Sequence, residues 1–171
     1  KTDSFMADLP QIMDANLPMS IDSQTVFPWL SLIVLLPIAG ALIMPFLPKE
    51  ESKNSNLPRN IALVILLADF LIIVLAFANL FDPSSENLQL VERLQWLPSI
   101  GLEWSLGVDG ISAPLVVLSG LITFLSAAAS WKVKQKTRLY FALLLIQASA
   151  QALVFLSQDF LLFFLAWELE L

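Results

Sequence analysis

The sequence of 171 residues contains no cysteine and no histidine. The absence of cysteine excludes disulfides, thiolate chemistry and cysteine-ligated iron–sulfur clusters. The absence of histidine excludes His-ligated haem or zinc and Ser-His catalysis. We therefore expect this chain to bind no redox cofactor. Protons, ions, lipids and partner proteins remain as its possible ligands and partners.

Glycine is also scarce, with five residues, whereas apolar residues make up 57% of the chain. A soluble domain has about 45–50%. The excess lies in runs of about 18 or more residues, which is typical of membrane-spanning helices. Four complete runs and a shorter fifth are present: 27–47, 60–81, 111–131, 139–157 and 159–171. The predicted fold class is an all-α polytopic membrane protein, built as a helical bundle.

Basic residues are concentrated in two of the connections between these runs, 48–59 and 132–138. The long connection 82–110 and the acidic N-terminal tail 1–26 contain one basic residue each. Because basic loops stay on the cytoplasmic side of a membrane, we expect the two basic connections to face the cytoplasm or stroma. The tail and the long connection are then expected on the lumenal side.

The long connection carries alternating apolar residues on both sides of a Pro-Ser-Ile-Gly turn. The alternating positions are Leu88, Leu90, Glu92, Leu94 and Trp96, then Leu102, Trp104, Leu106 and Val108. Alternation with a period of two across a turn predicts an extramembrane β-hairpin. Since a hairpin alone is marginally stable, it is expected to lie on a neighbouring subunit or the membrane surface, or on the helices of this chain.

Three ionisable residues lie within the apolar runs: Asp69, Glu168 and Glu170. A charged group at a helix centre costs about 2.5–3.5 kcal/mol on insertion scales, so each is a candidate functional residue. Glu168 follows Asp159 by nine residues, roughly 13–14 Å along a helix, which is close to the middle of a ~30 Å hydrocarbon core. The alternative for each residue is helix packing, with Asp69 hydrogen bonded to a neighbouring Ser, Thr or Gln.

Glu168 and Glu170 are two positions apart, a rotation of about 200° on a helix. Their carboxylates therefore point to nearly opposite sides and are not expected to form a dyad. Asp109 and Asp159 each precede a predicted helix and are expected to cap its N-terminus.

Polar residues recur at helical spacing in the third and fourth runs. They are Ser119, Thr123, Ser126 and Ser130 in the third, and Tyr140, Gln147 and Gln151 in the fourth. Such stripes are typical of helix–helix interfaces. A hydrated proton path would use the same residues, so Gln147 and Gln151 are secondary site candidates beside Glu170 and Asp69.

The segments GVDGISAPLVVLSG at 107–120 and SQDFLLFFLAWELEL at 157–171 resemble the antiporter-like membrane subunits of complex I. Within that group the resemblance is to chain 4 of the plastoquinone-reducing form in cyanobacteria and chloroplasts. It implies a proton-pumping module with inverted helical repeats, in the thylakoid membrane, beside further membrane and hydrophilic subunits. The iron–sulfur clusters and plastoquinone of such a complex are then expected in those other subunits.

In that family a glutamate on the fifth helix pairs with a lysine on a later helix, and changes in the pairing drive proton movement. Glu168 matches that glutamate, whereas Glu170 does not. The fifth run stops at Leu171 without a Gly, Pro or basic residue, so we expect an N-terminal piece of a longer chain.

Three functions are compatible with these features. The first is proton translocation within a NAD(P)H- or ferredoxin–plastoquinone oxidoreductase, with Glu168 as the proton-exchanging residue. The second is a free-standing cation/proton antiporter, and the third is a membrane scaffold in which the glutamates only pack. Nucleic acid is not an expected partner.

Overall fold

The computed structural model describes residues 27–47, 56–85, 87–97, 99, 101–133 and 135–171. The predicted tail 1–26 and residues 48–55 of the first basic connection lie outside the described residues. The helices are α1 (Trp29–Ile43), α2 (Leu57–Leu80), α3 (Ser112–Ala129), α4 (Thr137–Leu156) and α5 (Phe160–Glu170). The strands are β1 (Gln89–Leu97) and β2 (Leu102–Val108), and short 3-10 turns follow α1 and α3.

Four of the helical segments are long and apolar enough to cross a membrane. They are Trp29–Phe46, Leu57–Leu80, Ser112–Lys132 and Thr137–Leu156. With the β-hairpin, they confirm the predicted fold class. The second helix starts three residues earlier than predicted because Pro58 lies in its first turn, where the missing amide donor and fixed φ of proline suit a helix start.

Helix α4 is the centre of the bundle and packs against α1, α2, α3 and α5. Two glycines permit close helix packing, since a Cβ at Gly40 would lie 2.6 Å from Ile65 Cδ1 and one at Gly120 would lie 2.9 Å from Ile73 Cδ1. Small residues at helix contacts let backbones approach in this way. The Ser149 hydroxyl of α4 donates to the carbonyl of Val34 in α1, close to the proline inside that helix.

The described residues on either side of 48–55 and those of the second basic connection lie at one end of the bundle, which we call the basic end. Arg138, at the start of α4, donates from Nη1 to the carbonyl of Leu47, just after α1, over 2.9 Å. Arg59, in the first turn of α2, places its guanidinium carbon 3.6 Å from the ring centroid of Trp131. The predicted grouping of these segments on one side is consistent with both contacts.

The hairpin lies at the opposite end, which we call the hairpin end. Its strands pair antiparallel with Glu92 opposite Leu106 and Leu94 opposite Trp104. Gly101 in the turn has φ +72°, a left-handed conformation that glycine adopts without a steric penalty. The strands predicted from the alternation are therefore confirmed.

Two irregularities in β1 interrupt the alternation that the sequence suggested. The register shifts between Gln89 and Glu92 and again between Gln95 and Leu97, so β1 has one extra residue at each place. Glu92 is half-buried, whereas Leu94 and Trp96 are 66% and 53% exposed.

Of the two predicted placements of the hairpin, the structure has β2 on the helices of this chain. Ser157, at the turn between α4 and α5, forms an isolated bridge with Leu106, and the Gln158 amide donates to the Ser105 carbonyl over 2.8 Å. The buried residues of β2 join the apolar core at this end. Strand β1 lies on the outer side, with most of its residues exposed.

The buried interior of the bundle consists of two apolar clusters. The cluster at the hairpin end includes Ile33, Ile73, Val116, Leu153 and Leu162. The cluster at the basic end includes Met44, Leu66, Ala127, Phe141 and Leu145. Between the two clusters, α2, α3 and α4 each contribute buried polar residues, and these form the candidate site described next.

Candidate functional site

The site is a layer of polar side chains across the middle of the bundle, which we call the polar layer. Its members are Asp69 on α2, Ser119 and Thr123 on α3, and Ser149 and Gln151 on α4. All but Gln151 are buried. Each occupies a helix position between the two apolar clusters, so polar side chains occur within an apolar sequence in three neighbouring helices.

The predicted polar stripes of the third and fourth helices meet at this layer. The Ser119 hydroxyl donates to Gln151 Oε1 over 3.2 Å, and Thr123 Oγ1 lies 3.5 Å from the same oxygen. The shorter bond of Thr123 is to the Ser119 carbonyl, at 2.8 Å. Nearer the basic end, the hydroxyls of Ser130 and Tyr140 lie 2.6 Å apart. The stripes therefore serve as a helix–helix interface, while Gln147 is exposed.

Asp69 is the ionisable member of the polar layer and is only 5% exposed. Its Oδ1 accepts no hydrogen bond from the described residues. The expectation that a neighbouring Ser, Thr or Gln would bond to it is therefore wrong for this oxygen. Ser119 and Thr123 instead direct their hydroxyls to Gln151 and to the α3 backbone.

The two glutamates of α5 lie on different sides of that helix. The buried residues Leu162 and Ala166 are four apart, and Glu170 is four further on, so it lies on the face that packs against the bundle. Glu170 is accordingly half-buried, whereas Glu168 is exposed on the other side. The described helices therefore do not bring Glu168 into the polar layer.

Asp159 positions α5, and thereby both glutamates. Its Oδ1 accepts from the amide of Leu162 over 2.8 Å, which is the expected N-cap bond. The Ser157 hydroxyl donates to the Asp159 carbonyl over 2.9 Å. Strand β2 also pairs with this turn. The start of α5 is therefore held by the Asp159 cap, the Ser157 hydroxyl and β2.

Asp109 holds the start of α3 in a related way. Its Oδ1 accepts from the amides of Ile111 and Ser112 over 3.0 and 2.7 Å, and the Ser112 hydroxyl accepts from the Asp109 amide over 2.9 Å. The backbone hydrogen bond from Ser112 lowers the pKa of Asp109 below its ordinary value of 3.8. The predicted capping role is present, and the carboxylate is held in its ionised form.

Glu92 is a structural residue that the sequence did not reveal as one. Its Oε1 accepts from the Leu30 amide over 2.7 Å and its Oε2 from the Ser31 amide over 2.9 Å. The carboxylate thus caps α1 from the hairpin, 61 and 62 positions along the chain. The available signal was the residue before this helix, Pro28, which has no side chain that could cap it.

The described residues contain no group of three acidic side chains placed to hold a metal ion. What the polar layer and α5 offer chemically is carboxylates, hydroxyls and amides. Carboxylic acids bind and release protons, and hydroxyls pass them on because each donates and accepts one hydrogen bond. The chemistry available is therefore acid–base.

Comparison with known proteins gives one family. The family model described as NADH-ubiquinone oxidoreductase chain 4, amino terminus, matches residues 32–157. The chain is 54% identical over 149 residues to NAD(P)H-quinone oxidoreductase chain 4 of Prochlorococcus marinus strain NATL1A, covering 86% of this chain and 27% of that protein. It is 50% identical over 145 residues to NAD(P)H-quinone oxidoreductase chain 4 2 of Microcystis aeruginosa, covering 85% and 26%.

A third relative, NAD(P)H-quinone oxidoreductase chain 4 of Synechococcus sp. strain CC9902, is 51% identical over 148 residues, which are 86% of this chain and 27% of that protein. The chain therefore spans about a quarter of the length of these relatives. The family match includes α2, the hairpin, α3 and α4, the elements that position the polar layer. This chain belongs to the NADH-ubiquinone oxidoreductase chain 4 family and corresponds to its amino-terminal region.

Proposed function

We propose that this chain is part of a proton-translocating membrane subunit of a plastoquinone-reducing oxidoreductase in the thylakoid membrane. Electron transfer, with its iron–sulfur clusters and plastoquinone, takes place in other subunits, and this subunit couples it to proton movement. NAD(P)H or ferredoxin supplies the electrons. Membership of the chain 4 family and the cyanobacterial relatives support this proposal.

The observation that carries the proposal is the position of Glu168. It lies eight residues after the start of α5, about 12 Å along the helix, and therefore deep in the hydrocarbon region. Its side chain is exposed on the side of α5 away from the buried face. A carboxylate at that depth requires a partner, and a lysine on another helix of the complete protein supplies it.

The pairing gives Glu168 two states. With the ammonium close, the carboxylate is stabilised in its charged form, and when the ammonium moves away the acid takes up a proton. Alternation between these states moves a proton to and from the middle of the membrane. Glu170, on the opposite face of α5, has no part in this exchange in our proposal.

The outer face of the hairpin supports membership of a complex. Leu94 and Trp96 on β1 are 66% and 53% exposed although the hairpin lies outside the spanning helices. Exposed apolar side chains in such a position are typical of a contact with another protein. We place a neighbouring membrane or hydrophilic subunit on this face, whereas a free-standing antiporter needs no such contact.

The partner claim is tested by purifying the complete protein from its native membrane with an affinity tag. The proposal predicts that hydrophilic redox subunits co-purify and that the preparation reduces plastoquinone. Leu94→Glu combined with Trp96→Glu should reduce the recovery of those subunits, whereas Glu103→Gln on the other strand should not. Recovery of the wild-type chain alone, with cation/proton exchange activity, would contradict the proposal.

A further inference from the structure

Asp69 is a buried carboxylic acid to which the described residues offer no counter-charge. Its Oδ1 has no hydrogen-bond partner among the described residues, and the residue is only 5% exposed. A buried ionised carboxylate without a partner is far more costly than a neutral acid. The stable form in these surroundings is therefore the protonated one.

The described helices that pack against α2 place no cation at this level. Helices α1 and α3 contain no charged residue, and in α4 the ionisable residues are Arg138 and Tyr140 in the first turn, at the basic end. Within α2 itself, Arg59 precedes Asp69 by ten residues, about 15 Å along the helix. No described basic residue of these four helices therefore lies near the carboxyl group.

The polar layer places hydroxyl groups at the same depth as this acid. Helices α2 and α3 approach closely at Gly120, where an added Cβ would lie 4.0 Å from the Cα of Phe70, the neighbour of Asp69. Ser119 and Thr123 flank Gly120 on α3 and point to Gln151 on α4. A hydroxyl can accept a proton as it donates its own, so this network can exchange protons with a carboxylic acid at its level.

Asp69 also lies at the middle of α2. A proton-binding group at this position lies midway across the membrane. It is twelve residues from Leu57 and eleven from Leu80, about 17–18 Å from each end of α2. The apolar clusters on either side separate it from both membrane surfaces. A proton on Asp69 would be held midway between the two aqueous phases.

We propose that Asp69 is a second, reversible proton-binding site of this subunit, connected to the hydroxyl and amide network of Ser119, Thr123 and Gln151. In uptake, an O–H bond of a hydroxyl or hydronium in the layer breaks as one O–H bond forms on the carboxylate; in release, that bond breaks and the accepting hydroxyl or water passes its own proton on, and no electron is transferred. That the bound proton is used in translocation rests on the proposed function. That Asp69 binds a proton does not.

Binding is tested by infrared spectroscopy on the complete protein in its native membrane complex. The acid-minus-alkaline difference spectrum should contain the carbonyl stretch of a buried protonated carboxylic acid. Asp69→Asn should abolish this band, and Glu168→Gln should leave it in place. A band that persists in Asp69→Asn, or a wild-type spectrum without one, would overturn the proposal.

Use of the proton is tested by the number of protons translocated per electron. In Asp69→Asn this ratio should fall by about twofold or more while quinone reduction and complex assembly persist, since the acid is removed without a change of shape. Asp69→Glu should restore it, which shows that the fold tolerates this position. Wild-type coupling in Asp69→Asn would overturn the use of its proton in translocation, whereas the infrared band decides whether Asp69 binds a proton. Wild-type coupling in Glu168→Gln together with loss in Asp69→Asn would instead overturn the role of Glu168.

Discussion

At the scale of single residues, Asp109 links the hairpin to α3 through one carboxylate oxygen. That oxygen accepts two backbone amides, those of Ile111 and Ser112. These amides belong to the helix start, where the first N–H groups have no partner within the helix. The cap therefore sets where α3 begins, and through α3 it sets the depth of Ser119 and Thr123.

Asp109→Ala should loosen the start of α3. Loss of an N-cap oxygen typically costs about 1 kcal/mol, or roughly fivefold faster amide exchange if the helix start opens locally. Hydrogen-exchange mass spectrometry of the 109–116 segment measures this change. Asp109→Asn is the matched control, because it keeps an acceptor oxygen. Equal exchange in Asp109→Ala and the wild type would show that the cap is unimportant.

The same residue predicts a pH dependence. The folded pKa of Asp109 is lowered by the hydrogen bond from Ser112, so the folded state binds a proton less readily than the unfolded chain. Its contribution to stability is complete above the ordinary value of 3.8 and is lost as the pH falls through the lowered folded pKa. Protection of the α3 start should weaken over that acidic range in the wild type and change less in Asp109→Asn.

At the scale of elements, the hairpin and α1 form one unit through Glu92. The carboxylate caps α1, and the indole Nε1 of Trp104 donates to the Ser31 hydroxyl over 2.8 Å. Because Pro28 gives α1 no cap of its own, the helix start depends on a residue from β1. Strand β2 in turn holds the turn before α5, so the hairpin connects the first and last described helices.

Glu92→Ala should open the start of α1. A hydrogen bond to a charged group contributes about 1.5–3 kcal/mol, so exchange of the Leu30 and Ser31 amides should accelerate by about tenfold or more. Glu92→Gln keeps an acceptor oxygen and should have a smaller effect. Glu103→Ala, on the exposed side of the other strand, is the control for loss of a hairpin carboxylate. An unchanged rate in Glu92→Ala would contradict the capping role.

The same element shows where sequence reasoning succeeds and where it stops. The period of two and the turn residues predict both strands, because those signals are local. The extra residues in β1 depend on its register with β2. The bond of Glu92 to α1 depends on a contact between positions about sixty residues apart. Local periodicity contains no information about them. Only the missing cap at Pro28 indicated that an acceptor had to come from elsewhere.

The candidate site likewise has features that the sequence predicted and features that it did not. Helical spacing correctly identified Ser119, Thr123 and Gln151 as interface residues, because a stripe of polar residues on one helix face has to meet another helix. It did not reveal that Asp69 would lie without a hydrogen bond at Oδ1, since that depends on which way each neighbouring hydroxyl turns. The roles of Glu168 and Glu170 stay predictions.

At the scale of the whole molecule, the two ends of the bundle differ in charge and in structure. The basic end gathers Arg59, Lys132, Lys136 and Arg138, whereas the hairpin end contains the two-stranded sheet. From the positive-inside rule we expect the basic end to face the cytoplasm or stroma. In our proposal the hairpin is then lumenal, on the side to which protons are translocated.

The absence of cysteine makes this orientation directly measurable. Gln135→Cys at the basic end and Gln95→Cys on the hairpin both replace exposed residues and introduce the only thiol of this segment. A membrane-impermeant maleimide added to the stromal or cytoplasmic side of sealed thylakoid vesicles should label the first variant and spare the second. After the membrane is permeabilised, both should react. The reverse pattern would invert the orientation.

The central claim is that Glu168 exchanges a proton during electron transfer, and it is tested by the number of protons translocated per electron in the complete complex. In sealed vesicles, Glu168→Gln should lower this ratio while electron transfer to quinone continues, because glutamine keeps the shape of the side chain and cannot bind the proton. Glu103→Gln, outside the membrane, should retain the wild-type ratio. A wild-type ratio in Glu168→Gln would contradict the account.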